Sequence, residues 1–173
     1  AEDLGMDYVN LVNWDSWLAK VKFSMSIDGL KPELSQEYQM SIKDGKHPLL
    51  FLKLKELNIK LVPFSLYLNE KNRILILSGP NAGGKSVILK SLGLLQLMVQ
   101  SGFLVPVAKG SVFNLFKVIC ADIGDHQSMD DALSTYSAKL ANMRDFEEHA
   151  SRDSLILIDE FGSGTEPHMG GAI

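Results

Sequence analysis

Ile74-Leu75-Ile76-Leu77-Ser78-Gly79-Pro80-Asn81-Ala82-Gly83-Gly84-Lys85-Ser86 carries three signals in succession. A short, wholly apolar, β-rich run reads as a buried strand, a glycine-rich turn follows, and a helical pattern runs on from Lys85 to about Gln100. Within that frame Gly79 to Ser86 fits the pattern of a glycine, four residues, then Gly-Lys-Ser, placed where a phosphate-binding loop belongs. Glycines let the backbone curl until successive amide N–H groups face an anion, and the helix opening at Lys85 adds the positive end of its dipole. Gly79, Pro80, Asn81, Ala82, Gly83 and Gly84 are therefore expected to cradle nucleotide phosphates, with Lys85 reaching the β- and γ-phosphates and the Ser86 hydroxyl holding Mg²⁺. The alternative is a glycine turn that matches by accident; the flanking strand and helix weigh against it. Asn81 either hydrogen-bonds a phosphate or the attacking water, or stabilises the loop through its backbone.

Downstream, Val118-Ile119-Cys120-Ala121 and Leu155-Ile156-Leu157-Ile158 read as two further buried strands of the same parallel sheet. Between them Leu140, Met143 and Phe146 mark a helix that ends near the Ala150-Ser151-Arg152-Asp153 turn. The second strand runs into Asp159 and Glu160, the arrangement a Walker B element needs: an aspartate at the strand's C-terminal edge for magnesium, then a carboxylate to orient or deprotonate water. Acids at a strand end more often just mark a strand running out into solvent. It is the upstream phosphate loop that turns Asp159 towards a metal role and Glu160 towards a catalytic one.

Upstream, Leu11, Trp14, Leu18, Val21 and Met25 recur at helical spacing, and Gly29 and Pro32 lie beyond the helix they define. Trp14 and Trp17 are assigned packing rather than chemistry. Glu33 to Gly45 reads as a polar, irregular linker or domain edge, while Leu49 to Phe51 and Leu61 to Leu68, the latter interrupted by Pro63, read as edge strands of a peripheral antiparallel layer.

The bulk properties limit the function classes. The chain has 173 residues, 46% of them hydrophobic, and a formal charge of −4, so it lacks the positive balance of a surface that grips nucleic-acid phosphates by itself. Its lone cysteine, Cys120, builds neither a disulfide framework nor a thiolate metal site, which fits a reducing, cytoplasmic compartment. No apolar run approaches the roughly 18 residues that span a bilayer, and no membrane partner is expected.

GPNAGGKS, the helix KSLGLLQLMVQSGFLVPV, the segment DIGDHQSMDDALSTYSAKLANM and LILIDEFGSGTEP together resemble, in order and spacing, the ATPase domain of MutS proteins over roughly the last hundred residues. Ala82 and the DIGDHQS segment are most similar to the second-type branch, which lacks the mismatch-reading N-terminal domain, although His126 stands where that branch has an acid. The resemblance implies an ABC-type P-loop NTPase: an α/β fold with a mainly parallel sheet flanked by helices and a peripheral antiparallel layer. Residues 1–36 would then be the end of a helical lever domain, and residues 37–173 an ATPase domain truncated at its C-terminus.

The same resemblance implies two ATP molecules, each with Mg²⁺, sandwiched in a homodimer of the parent protein, and DNA held through the parent's other domains. Ser134-Thr135 would be the signature that reaches the γ-phosphate of the partner's ATP, although capping their own helix is the commoner use of such residues. Gly162-Ser163-Gly164-Thr165 would be the loop that crosses the dimer interface, or a plain glycine turn. His47, in Lys46-His47-Pro48-Leu49, would lie near the adenine with Leu61 to Phe64 as an apolar wall, or simply be a turn residue before proline. The family's γ-phosphate histidine and its small nuclease-like domain lie farther along than this chain reaches, and His47, His126, His149 and His168 are wrongly placed to stand in for that histidine. Poor turnover by the chain in isolation is the expectation. Rival readings are another ABC-type chromosome-maintenance ATPase, which should carry an LSGGQ-like signature where LSTYS stands, and a nucleotide-gated interaction module with little hydrolysis.

Overall fold

A computed structural model describes residues 2–80, 83–124 and 132–159, with side chains described for 5–80, 83–124 and 139–159. The chain divides into two compact units, one of residues 1–78 with 94–115 and one of residues 79–93 with 116–173.

The first unit opens with helix α1 (Glu2–Ser26), free of proline along its length. One face of its C-terminal half is bound to the chain after residue 100. Lys20 Nζ donates to the Ser101 carbonyl at 2.8 Å, Phe23 meets Phe103 edge-on at 5.9 Å, and Ser24 Oγ accepts from the Leu104 amide at 3.2 Å. The opposite face presents Leu11, Trp14, Leu18, Val21 and Met25 to solvent, so the helical stripe read from the sequence is present and unpartnered among the described residues.

A four-stranded mixed sheet follows, with strands β1 (Glu33–Ser35), β2 (Gln39–Gly45), β3 (Phe64–Asn69) and β4 (Val112–Asn114) in the spatial order β1-β4-β2-β3. β1 pairs parallel with β4, and β2 pairs antiparallel with both β3 and β4. Met40 lies opposite Leu68, and both are buried with Ile42 and Phe113 in this unit's core. Gln96, in the C-terminal part of helix α3 (Lys85–Gln100), is fully buried, and its Nε2 donates to the Asn114 carbonyl at 2.7 Å, fixing that part of the helix to the end of β4.

Three expectations are corrected in this unit. Glu33 to Gly45 is not a linker: it supplies β1 and β2, whose alternation of buried Met40 and Ile42 with more exposed neighbours is the period of a half-buried strand. Leu49 to Phe51 is not a strand but lies in helix α2 (Pro48–Glu56), because His47 caps it and Pro48 occupies the first turn, where a missing N–H costs nothing. Ile74 to Leu77 forms no ladder among the described residues, and Ile74 and Ile76 are 84% and 82% exposed. Of the edge strand expected at Leu61 to Leu68, the part beyond Pro63 forms: β3 runs from Phe64 to Asn69 at the edge of the sheet, and Leu61 to Pro63 lie outside it.

The second unit contains strands β5 (Val118–Asp122) and β6 (Ser154–Ile158), joined by helix α4 (Ala132–His149). They pair in parallel from Val118 opposite Ser154 to Asp122 opposite Ile158, and a parallel pair needs a crossover such as α4 provides. Cys120, Leu155 and Leu157 are buried on this pair, and Leu92 and Phe116 are buried in the same unit. A Cβ placed on Gly93 of α3 would come within 2.9 Å of Leu157 Cδ1, so the face of β6 bearing Leu155 and Leu157 is the one covered by the N-terminal part of α3. Among the described residues the fold is mixed α/β, with one mixed sheet and one parallel pair.

Candidate phosphate-binding loop and strand edge

The loop before α3 adopts the backbone its glycines permit. Gly79 has φ of 146° and Gly84 φ of 78°, and at the second a side chain would cost about 1–2 kcal/mol. The Gly83 amide donates to the Pro80 carbonyl at 2.9 Å, closing a turn, and the Ile88 amide donates to the Gly84 carbonyl at 3.0 Å, so the helix begins directly beyond the loop. Lys85 Nζ donates to the carbonyls of Gly79 at 2.6 Å and Pro80 at 2.8 Å. The ammonium thus lies back over the loop instead of extending from the helix. The first turn of α3 contains no acidic side chain, so its opening amides and positive dipole end carry no competing negative charge from within the helix. Ser86 follows Lys85 in that first turn. Asn81 and Ala82 lie outside the described residues.

At the C-terminal end of the parallel pair the ladder continues one residue past the strand, with the Asp159 amide donating to the Asp122 carbonyl at 2.9 Å. Strand alternation puts Asp159 on the same face as Leu155 and Leu157, the face that α3 covers. Asp122 faces the other way: its Oδ1 accepts from Asn142 Nδ2 of α4 at 3.3 Å. Asp122 is buried, and among the described residues its Oδ2 has no hydrogen-bond partner, an arrangement that costs about 1–3 kcal/mol relative to a satisfied group. Sequence reasoning passed over this carboxylate. The available signal was the one used for Asp159, since Val-Ile-Cys-Ala-Asp is also an apolar strand ending in an acid.

Ser134 and Thr135 sit at the start of α4, with their side chains outside the description, and Glu160 and Gly162 to Thr165 also lie outside it, as do His126 and His168. His47 belongs to the first unit, where it is the N-cap of α2, its Nδ1 accepting from the Leu50 amide at 3.3 Å. That contact supplies the turn role weighed for it. Burial first, and the charge of Asp145 second, push the Cys120 thiol above its ordinary pKa, which keeps it protonated and unreactive. Among the described residues no three His, Cys, Asp or Glu side chains gather to hold a metal, and no helix is long and apolar enough to cross a membrane.

A glycine loop leads into a lysine-headed helix beside the end of a parallel strand pair, and MutS domain V matches residues 75–173: the chain belongs to that family. It is 39% identical over its full length to Endonuclease MutS2 of Alkaliphilus oremlandii and 40% identical over 99% of its length to Endonuclease MutS2 of Finegoldia magna. The second-type branch read from Ala82 and DIGDHQS is the one these relatives belong to. The chain spans 21% of the length of each.

Proposed function

We propose that this chain is the nucleotide-binding part of a MutS-type ATPase in which ATP, bound with Mg²⁺, drives pairing of two such domains and thereby movement of a DNA-binding clamp elsewhere in the parent. The observation that carries the reading is the loop of Gly79 to Gly84 entering α3 at Lys85, with positive φ at two glycines and the lysine ammonium held over the loop carbonyls. Open space around Gly79 and Gly84 lets a phosphate approach the backbone. A hydroxyl at Ser86 and a carboxylate at Asp159 are hard oxygen donors, suited to a magnesium ion that keeps water and phosphate as its other ligands.

Magnesium, when bound, would neutralise charge on the β- and γ-phosphates. The chain's own residues would do the remainder. Loop amides bind and orient the phosphates, and Lys85 exchanges its carbonyl partners for phosphate oxygens. Glu160 accepts a proton from the attacking water, and Ser134-Thr135 of one copy completes the γ-phosphate site of the other. The P-loop architecture of the whole domain, a cytoplasmic setting, the lever role of residues 1–36 and a homodimeric parent belong to the same proposal. The exposed apolar face of α1 supports the lever role, since such a stripe fits packing against further helices. Recognition of distorted DNA, and the nuclease activity in the relatives' name, would reside in other parts of the parent.

The test is equilibrium ATP binding and steady-state hydrolysis by this chain and by the full-length protein, each beside Lys85→Ala. Lys85→Ala should weaken binding by at least about tenfold, the loss of one charge-assisted contact to phosphate. Glu160→Gln should retain nucleotide while losing turnover. ATP binding indifferent to Lys85 in both proteins would overturn the reading, and hydrolysis unchanged by Glu160→Gln would favour a binding module.

A further inference from the structure

Two hydrogen bonds meet at Asp122. Its carbonyl accepts from the Asp159 amide at 2.9 Å, and its carboxylate accepts from Asn142 of α4 at 3.3 Å. The first reaches the residue that ends the β6 edge; the second reaches the helix that opens with Ser134 and Thr135. Between them lies a single residue at the end of β5, whose backbone is paired with β6. The residue is only 6% exposed, yet among the described residues Oδ2 has no partner. A residue chosen only to stabilise this junction would be neutral and fully satisfied. A carboxylate is what strengthens the link to Asn142, because a hydrogen bond to an ionised acceptor is about twice as strong as a neutral one.

We infer that Asp122 is a positioning residue that couples the Walker B aspartate, Asp159, to the helix carrying Ser134-Thr135. The inference rests on the proposed paired ATPase and names a device within it. In such a pair Asp159 serves the nucleotide bound by its own copy, whereas Ser134-Thr135 serves the nucleotide of the other. A rigid connection through Asp122 makes the state of one site bear on the geometry of the second. The connection lies in one copy, touches neither nucleotide, and acts on turnover and cooperativity in preference to affinity.

The experiment uses the full-length protein and compares wild type with Asp122→Asn, Asn142→Ala, the exchange Asp122→Asn with Asn142→Asp, and Lys85→Ala. Four quantities are read: Kd for ATP, kcat, the Hill coefficient of hydrolysis, and Tm. Asp122→Asn keeps a carbonyl acceptor and removes the buried charge, so Tm should hold or rise and Kd should stay within about twofold, while kcat falls about tenfold and the Hill coefficient drops towards one. Asn142→Ala should reproduce the kinetic loss. The exchange, which restores a charged bond with donor and acceptor reversed, should recover kcat and cooperativity. A fall in Tm and ATP affinity together, wild-type kcat and cooperativity in Asp122→Asn, or failure of the exchange to rescue would each overturn the inference. Wild-type turnover that does not need Lys85 would instead remove the ATPase reading, and this inference with it.

Discussion

Leu155-Ile156-Leu157-Ile158 and Ile74-Leu75-Ile76-Leu77 are nearly the same sequence in opposite circumstances. The first is strand β6, paired in parallel with β5, with Leu155 and Leu157 only 5% and 3% exposed. The second pairs with no strand among the described residues, and its two isoleucines lie mostly in solvent. Composition is therefore not what separates them. A strand needs a neighbour to take its backbone hydrogen bonds and a helix to cover its side chains, and β6 has both, β5 for the ladder and α3 for Leu157.

The sharpest way to break this contrast is Leu157→Ala. Leu157 is buried against α3, so its truncation should cost about 2–5 kcal/mol in chemical denaturation, the transfer loss plus the cavity left behind. Gly93→Ala probes the same contact from the helix. The new methyl would stand 2.9 Å from Leu157 Cδ1, an overpacking cost of about 1–3 kcal/mol, set against roughly 1 kcal/mol gained from alanine's helix propensity. A small net loss is expected alone, changing to a net gain when combined with Leu157→Ala. Strict additivity of the two substitutions would show that α3 does not rest on Leu157.

Ile76→Ala is the counterpart in the exposed run. At 82% exposure it should change stability by no more than about 0.5 kcal/mol. A loss matching that of Leu157→Ala would place the run inside a sheet and restore the three-stranded parallel arrangement that its sequence suggests.

How much could be read in advance follows from the range over which each signal acts. Helix α3 was legible to its ends, Lys85 and Gln100, because the glycine loop fixes one boundary and sixteen residues of regular pattern establish the rest. β5 and β6 were legible because their apolar runs are bounded by turn residues and by an acid. Strands β1 and β4 have three residues each, too few for any periodicity, and β2 hides its Met40 and Ile42 alternation among serine, lysine and aspartate. In α2 the apolar run was legible but its period was misread; the His47-Pro48 cap was the better guide. At the site, the start of α3 at Lys85 was legible from the motif, whereas the flanking strand expected at Ile74 to Leu77 forms no ladder among the described residues. The burial of Asp122 and its link to Asn142 were not legible, because twenty residues of chain separate the two and only the packing of α4 on β5 brings them together.

The smallest effect lies at the end of the helix that joins β5 to β6. His149 closes α4, with Nδ1 2.9 Å from the Asp145 carbonyl and 3.2 Å from its carboxylate. The backbone hydrogen bond chiefly, with the Asp145 charge second, raises its pKa from the ordinary 6.5. A raised pKa means that the folded chain binds the proton more tightly than the unfolded one. The stabilisation is therefore complete below about pH 6.5 and is lost as the pH rises through the elevated folded value. Helix polarity acts in the same direction, since a cation at a C-terminus is favoured. Because the side chain is exposed, salt should screen the effect, and Asp145→Asn should diminish it while leaving the backbone part. Thermal unfolding of wild type and His149→Ala from pH 5.5 to 8 should show the wild-type advantage at the acid end shrinking with pH. An advantage that grows with pH would mean that the neutral ring, not the cation, caps this helix.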